Sequence, residues 1–231
     1  MDTVVDLLDL PHPDDALALQ RGRREYEYRR FRATAYKTGN YLRQCAVREG
    51  ATVSLHDLPE PETVFGLLGA GLLGGRARFD PDGSVAADVL LGPTAALSDD
   101  DPEPGRKRIG FGEKPEDPTV AYFEREVWSE NPFFPPSAVE GDARFLDGLT
   151  QGEALGLART VSADLSPDDV VAVRGSFADP STVIGGVLAP LVVGATVLLP
   201  ADDQEGTVAV GGTNPPESAL LEVPSDLAPD G

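Results

Sequence analysis

The stretch Pro61-Glu-Thr-Val-Phe-Gly-Leu-Leu-Gly-Ala-Gly-Leu-Leu-Gly-Gly-Arg-Ala-Arg-Phe-Asp-Pro81 decides the reading of this chain, because it occurs twice. Residues Pro180 to Pro200 answer it at a constant offset of 119, without a gap. Pro61, Thr63, Val64, Gly66, Ala70, Leu72, Gly75 and Pro81 recur as Pro180, Thr182, Val183, Gly185, Ala189, Leu191, Gly194 and Pro200. The same offset pairs Val89, Gly92 and Thr94 with Val208, Gly211 and Thr213, and Ala35 with Ala154. Self-similarity of this length marks duplicated architecture. Two copies are too few for a solenoid and imply two halves of one larger fold.

Each copy reads as the same unit. In the first, Val53 and Leu55 mark a strand ending at His56. Pro61 suits the first turn of a helix, where its missing N–H costs nothing. That helix should end at Gly74-Gly75, where a left-handed cap favours glycine. Arg76 to Phe79 alternates charged and apolar residues, as a strand with one wet face does, and Asp88 to Leu91 is a further strand. In the second copy Val170 to Val173 is an apolar run, expected of a strand covered on both faces. Asp179-Pro180 opens a helix, with Asp as cap and Pro in the first turn. Pro190 should bend or shorten its last turn, and Gly194 closes it. Ala195 to Leu199 and Thr207 to Val210 read as strands. Helices are expected before each unit, over Phe31 to Cys45 and Thr150 to Ala163. Such strand–helix–strand order implies parallel pairing with right-handed crossovers. The expected fold class is α/β, with two related βαβ-containing halves and mainly parallel sheets.

Four segments follow. Residues 1–98 form the first half, 99–147 an acidic linker rich in Pro and Gly, 148–214 the second half and 215–231 a frayed tail. Residues 1–22 read as poor in structure and Glu25 to Arg30 as a short strand. Thr119 to Trp128 reads as a short helix or strand. Asn131-Pro-Phe-Phe-Pro-Pro136 is excluded from regular structure by its prolines. Trp128, Phe133 and Phe134 make an aromatic arm, a candidate anchor to a partner or to the body of the protein, packing being the simpler role.

Thirty-nine acids face nineteen bases among 231 residues, a net charge of −20. Only Lys37, Lys107 and Lys114 are lysines. This balance repels phosphate backbones and anionic membranes, so neither nucleic acid nor a membrane is an expected partner. Acid-rich, lysine-poor surfaces suit high salt, where self-repulsion is screened, and point to a halophile-like cytoplasmic protein. The N-terminus carries acids where an export signal needs bases. The uncharged run Val183 to Leu199 contains Gly185, Gly186, Pro190 and Gly194, which fits a helix and a buried strand better than a membrane span. Cys45 is the sole cysteine, which excludes an intrachain disulfide and reads as a structural thiol.

Chemical motifs are few. Gly69-Ala-Gly-Leu-Leu-Gly74 matches the dinucleotide fingerprint in letters, but its glycines fall late in the helix rather than at a strand-to-helix turn. They read as packing glycines. His12 and His56 are the only histidines, and neither has metal-ligand spacing. His56-Asp57 ends a parallel strand, where α/β crevices open, and is aligned with Gly175-Ser176 in the other copy.

Tyr36-Lys-Thr-Gly-Asn-Tyr-Leu-Arg, Val47-Arg-Glu-Gly-Ala-Thr-Val-Ser-Leu and Pro61 to Gly75 form one pattern. Thr150-Gln-Gly-Glu-Ala-Leu, Leu165-Ser-Pro-Asp-Asp-Val-Val-Ala-Val and Val187-Leu-Ala-Pro-Leu-Val-Val-Gly-Ala-Thr-Val-Leu-Leu repeat it. Together, over Tyr26 to Val210, they resemble the N-terminal domain of AMP-dependent synthetases and ligases, the adenylate-forming family that includes acetyl- and acyl-CoA synthetases. The resemblance implies that family's fold. It also implies a glycine-rich phosphate loop ending in Lys-Gly just before Thr150, where this chain has Glu140-Gly-Asp-Ala-Arg-Phe-Leu-Asp-Gly-Leu149. The family's hinge and lysine-bearing C-terminal domain would lie past Gly231. The resemblance therefore assigns no catalytic, cofactor or metal-binding residue here. The expected function is that of a truncated acyl-CoA synthetase-like domain without ligase activity, binding a small acyl ligand or an unidentified protein partner. The alternatives are an acid–thiol ligase component completed by a partner chain, and a nucleotide-binding α/β protein.

Overall fold

A computed structural model describes residues 1–79, 86–97, 105–136 and 138–224. Pro81, the Asp99-Asp-Asp run and the end of the acidic tail lie outside these residues.

Two largely parallel sheets carry the fold. In the first, β3 (Thr52–Leu55) is flanked by β4 (Arg76–Phe79) and β5 (Val89–Pro93), and the order β4-β3-β5 continues into β6 (Lys107–Phe111) and β7 (Val120–Tyr122). In the second, β10 (Val170–Val173) is flanked by β11 (Thr196–Leu198) and β12 (Val208–Val210), and β12 pairs with β13 (Ala219–Leu220). On the other side β11 pairs in parallel with β1 (Leu17–Arg21), which forms an antiparallel pair with β2 (Arg24–Glu27). A small hairpin, β8 (Arg144–Leu146) with β9 (Leu149–Thr150), completes the strands among the described residues.

The duplication is visible in the strand order, with the register shifted. Val53 lies opposite Ala77 on one side and Val89 on the other; its duplicate Ala172 lies opposite Leu198 and Ala209 rather than Thr196 and Val208. The crossover in the first unit is α3 (Pro61–Gly71). In the second it runs through α7 (Pro180–Val183), a π-helical turn (Ile184–Leu188) and α8 (Ala189–Val193). Gly66 and its counterpart Gly185 do the same job. A Cβ on Gly66 would lie 3.3 Å from Leu91, and one on Gly185 would lie 3.4 Å from Val210, the residue 119 positions after Leu91. Thr63 and Thr182 are both buried in the first turns of these helices.

Pro190 has no N–H for the carbonyl of Gly186, and its ring crowds that carbonyl. The helix widens into its π turn immediately before this proline, as helices do where the hydrogen-bond ladder is interrupted. Gly194 then takes a left-handed conformation, φ 87°, and closes the helix. Gly74 does the same in the first unit at φ 68°.

Every residue of α3 is buried, because it touches α2 (Tyr28–Gln44), the first sheet and β1 of the second. One apolar core runs through both sheets, from Phe31, Phe65 and Phe145 to Val173, Leu188 and Val197. The glycines of the Gly69 to Gly74 motif serve this packing. A Cβ on Gly69 would lie 3.0 Å from Thr38 and 3.1 Å from Leu42 of α2, and one on Gly71 only 2.6 Å from Val4.

Several expectations need correction. The segment before residue 22 is ordered: α1 (Val4–Leu8) opens with a reciprocal cap between Thr3 and Asp6, and β1 follows. The strand expected over Glu25 to Arg30 ends at Glu27, and Tyr28 begins α2. The N-terminal hairpin belongs by pairing to the second sheet, so residues 1–98 do not make one half. Nor is 99–147 a linker throughout. It supplies β6, β7 and α5 (Phe123–Ser129) to the first half, because Ile109 and Phe111 alternate into its core. The segment after residue 214 adds β13 and the buried Glu217 to the second sheet.

Candidate functional site

Ligand crevices in parallel α/β sheets open at the carboxyl ends of the strands. Here the two sheets bring those ends together. Asp57, after β3, accepts a hydrogen bond from the hydroxyl of Ser176, after β10, and another at 2.7 Å from the Phe177 N–H. Positions 57 and 176 are duplicates of each other, so this contact lies where the two copies meet. Phe79 and Phe177 pack beside it with ring centroids 5.3 Å apart. His56 lies flat against the next strand: a Cβ on Gly92 would sit 2.2 Å from its ring, so only glycine fits there. The His56-Asp57 pair thus acts as a junction between units.

Two crevices flank the junction at equivalent places. The first, about 360 Å³, is bounded by Glu60, Glu62, Thr94 and Phe111. The second, about 720 Å³, is bounded by Asp179, Ser181, Gly211 and Leu221. The offset of 119 relates Glu60 to Asp179 and Glu62 to Ser181. In the first crevice Glu60 and Glu62 are paired with arginines. Arg24 reaches from β2 to both oxygens of the buried Glu62, and Arg21 pairs with Glu60 at 2.6 Å. Burial opposes the charge on Arg24, but Glu62 beside it prevails and its pKa is raised. These pairs clamp the N-terminal hairpin onto α3. Nearby, burial raises the pKa of Glu124, whose carboxylate accepts from the Gly112 N–H at 2.8 Å. The second crevice is walled by Asp164, Asp179 and Glu222 and, among the described residues, by no Lys or Arg. Coulomb repulsion there disfavours a free carboxylate or phosphate.

The segment in which the resemblance leads one to expect a phosphate loop holds the β8–β9 hairpin. Its base is tied down: the Ala143 N–H donates to Glu140 O, Gln151 N–H to Ala143 O and Gly152 N–H to Gly141 O. The helix that follows, α6 (Gln151–Ser162), is closed by a capping box. The Thr150 hydroxyl oxygen accepts from the Glu153 N–H at 3.2 Å, while the Glu153 carboxylate accepts from the Thr150 N–H at 2.7 Å and from its hydroxyl at 2.8 Å. Hydrogen bonds from the Thr150 backbone and hydroxyl hold the Glu153 carboxyl below the usual range. An anion already sits at this helix start.

The aromatic arm divides. Phe134 packs inward, stacked on Tyr36 at 5.7 Å with the Arg43 guanidinium 4.5 Å above its ring. A Cβ on Gly39 would lie 2.9 Å from Phe134 and 3.0 Å from Leu72, which accounts for a glycine in mid-helix. Trp128 and Phe133 point outward, 64 % and 69 % exposed. Cys45 is half-buried, and burial pushes its thiol up, away from nucleophilic reactivity. His12 bonds the Leu191 carbonyl through Nε2 at 2.8 Å, and burial lowers its pKa. Among the described residues no group of three His, Cys, Asp or Glu is placed to hold a metal, and no helix is long and apolar enough to cross a membrane.

Sequence reasoning missed the Arg24–Glu62 and Arg174–Glu217 ion pairs, since neither pair has a recognisable spacing. The Glu153 cap was legible: Thr150-Gln-Gly-Glu153 is the Thr-x-x-Glu signature of a capping box.

No protein-family model matches the sequence, and no curated protein sequence does either. Solved structures do. An anthranilate CoA ligase, AuaEII, in complex with anthranoyl-AMP superposes with a TM-score of 0.76 at 18% identity, over 90% of this chain and 49% of that one. A benzoate CoA ligase from Burkholderia xenovorans superposes at 0.73 with 17% identity, over 91% and 50%. An acyl-CoA synthetase from Brucella canis superposes at 0.70 with 15% identity, over 91% and 47%. The chain thus spans about half the length of the enzymes it matches. It has the fold of the N-terminal half of adenylate-forming acyl-CoA synthetases.

Proposed function

We propose that this chain is an acyl-CoA synthetase-like domain that binds rather than ligates, a non-catalytic binding or regulatory protein. The observation that carries this reading is the Glu153 carboxylate at the start of α6. Adenylation requires a triphosphate to be held while a carboxylate attacks its α-phosphorus. Two anions must approach, so positive charge or several backbone N–H donors must offset their repulsion. At the place where the resembled family presents its phosphate loop, the N–H groups of Ala143, Gln151 and Gly152 donate to backbone carbonyls and Glu153 adds a further negative charge. The larger crevice, walled by carboxylates, is equally unsuited to a free acid. Losing one such electrostatic contact typically costs about 10²–10³ in rate. The competing reading, a ligase component completed by a partner chain, draws on the fold alone, and a fold hosts many functions.

The assay is exchange of labelled pyrophosphate into ATP with magnesium, at high salt, with acetate, benzoate and longer acids. The expected result is exchange no greater than that of a heat-denatured sample. Acid-dependent exchange carried by the purified chain would overturn the reading.

A further inference from the structure

We propose that Trp128, Phe133 and the adjoining face of α2 form a docking surface for an acidic protein segment bearing one large apolar side chain. This deepens the binding role proposed above by naming the chemistry of a partner.

Two large aromatic side chains stand in solvent on a segment that is held rigidly. Lys37 Nζ donates to the Trp128 carbonyl at 2.9 Å. Asn40 Nδ2 donates to the carbonyls of Asn131 and Phe133, each at 2.9 Å. Gln44 reaches Glu130 at 2.6 Å, and Phe134 is locked under Arg43. Packing of the arm needs only Phe134; it leaves Trp128 and Phe133 without a structural task. Rigid exposed aromatics lose little entropy on binding, and Trp with Arg is the composition of interface anchors.

Between Trp128 and α2 lies a groove of about 230 Å³, floored by Ala33 and Val127 and bordered by Tyr26, Arg30 and Lys37. That volume suits one large apolar side chain rather than a cofactor. Arg30 lies 4.6 Å over the Tyr26 ring, its charge at the groove's edge. The lining of the groove is cationic: Arg30 and Lys37 are its charged residues, and no Asp or Glu is among the described residues that line it. The complementary occupant is a short acidic segment. A nucleic acid would bring a long run of phosphates against a body of charge −20, and a second copy would bring the same charge again.

Trp128 is the only tryptophan, so its fluorescence reports on this surface without a label. The probes are Trp-free acidic nonapeptides with a central Phe, Leu or Ile, titrated to millimolar concentration in 150 mM KCl. A saturable blue shift is expected, weakened at least tenfold by Arg30→Glu, weakened by added salt, and absent with amide-for-acid control peptides. Arg30 is exposed, and an unchanged melting curve shows that the variant is folded. A fluorescein-labelled copy of the best peptide, read by anisotropy, should lose binding to Trp128→Ala. Three results would overturn the proposal: no shift with any acidic peptide; equal shifts with the amide controls or with Arg30→Glu; or a shift produced instead by single-stranded DNA or by protein concentration alone. None of these readouts depends on pyrophosphate exchange, so the two proposals fail separately.

Discussion

The two copies of the βαβ unit share a backbone course and differ in what surrounds it. Arg78 of β4 and Val197 of β11 are duplicates, 119 residues apart. Among the described residues β4 pairs on one side only, with Ala77 buried and both arginines partly exposed. β11 has β10 on one side and β1 on the other, and all three of its residues are buried. The N-terminal hairpin makes this difference: it extends the second sheet past β11 and leaves β4 at an edge. Edge strands keep charges, which discourage pairing with other chains, while a central strand covered on both faces reads as continuously apolar. Position in the sheet, rather than descent from a common unit, sets the side-chain pattern. The same contrast recurs at Leu55, which is fully buried, and its duplicate Arg174, which is neutralised by Glu217.

The sharpest way to break this comparison is to exchange the duplicated residues. Val197→Arg buries an unpaired guanidinium and should destabilise the protein by at least about 4 kcal/mol. Arg78→Val gives up only a half-exposed contact with Asp147 at 3.4 Å and should change stability by less than about 0.5 kcal/mol. Urea denaturation of both variants measures the difference; equal losses would mean that sheet position does not govern the pattern.

A second test addresses Arg174. Burial by itself would raise the Glu217 carboxyl, but hydrogen bonds from Arg174 and from the Gly206 N–H outweigh it and hold the group below the ordinary glutamate range. A depressed folded value contributes stability that is complete above the unfolded value near 4.3 and is lost as pH falls through the folded one. Glu217→Gln should cost about 3 kcal/mol at pH 7 and flatten the acid limb of stability between about pH 5 and 3. Thermal melts across that range read both effects, and an unchanged acid limb would remove Glu217 from the account.

The junction between copies should be worth less. Asp57→Asn weakens two charge-assisted hydrogen bonds and should cost about 1–2 kcal/mol. A cycle with Ser176→Ala should return a coupling of about 0.5–1.5 kcal/mol. No coupling would show that the copies meet without depending on this contact.

The smallest effect is expected from salt. Added potassium chloride screens the self-repulsion of a chain of charge −20 and should raise the melting temperature. Each kcal/mol gained moves it by roughly 2–4 °C in a chain of this size. A flat or falling melting temperature would count against adaptation to high salt.

The sequence by itself determined the α/β class, the duplicated unit and most strand and helix positions, because periodicity and Pro and Gly signals act over a few residues. β3, α3, β10 and the left-handed Gly74 and Gly194 were all readable on those grounds. The occupied start of α6 was readable too, in Thr150-Gln-Gly-Glu153. Only the tertiary structure decided that β1 and β2 join the second sheet, that β6 and β7 complete the first, and which way each aromatic of the arm points. It alone placed Asp57 against Ser176, Arg24 against Glu62 and Arg174 against Glu217. Those pairings join residues 38 to 119 positions apart. They depend on which surfaces the packed core leaves adjacent, and no local pattern of residues encodes that.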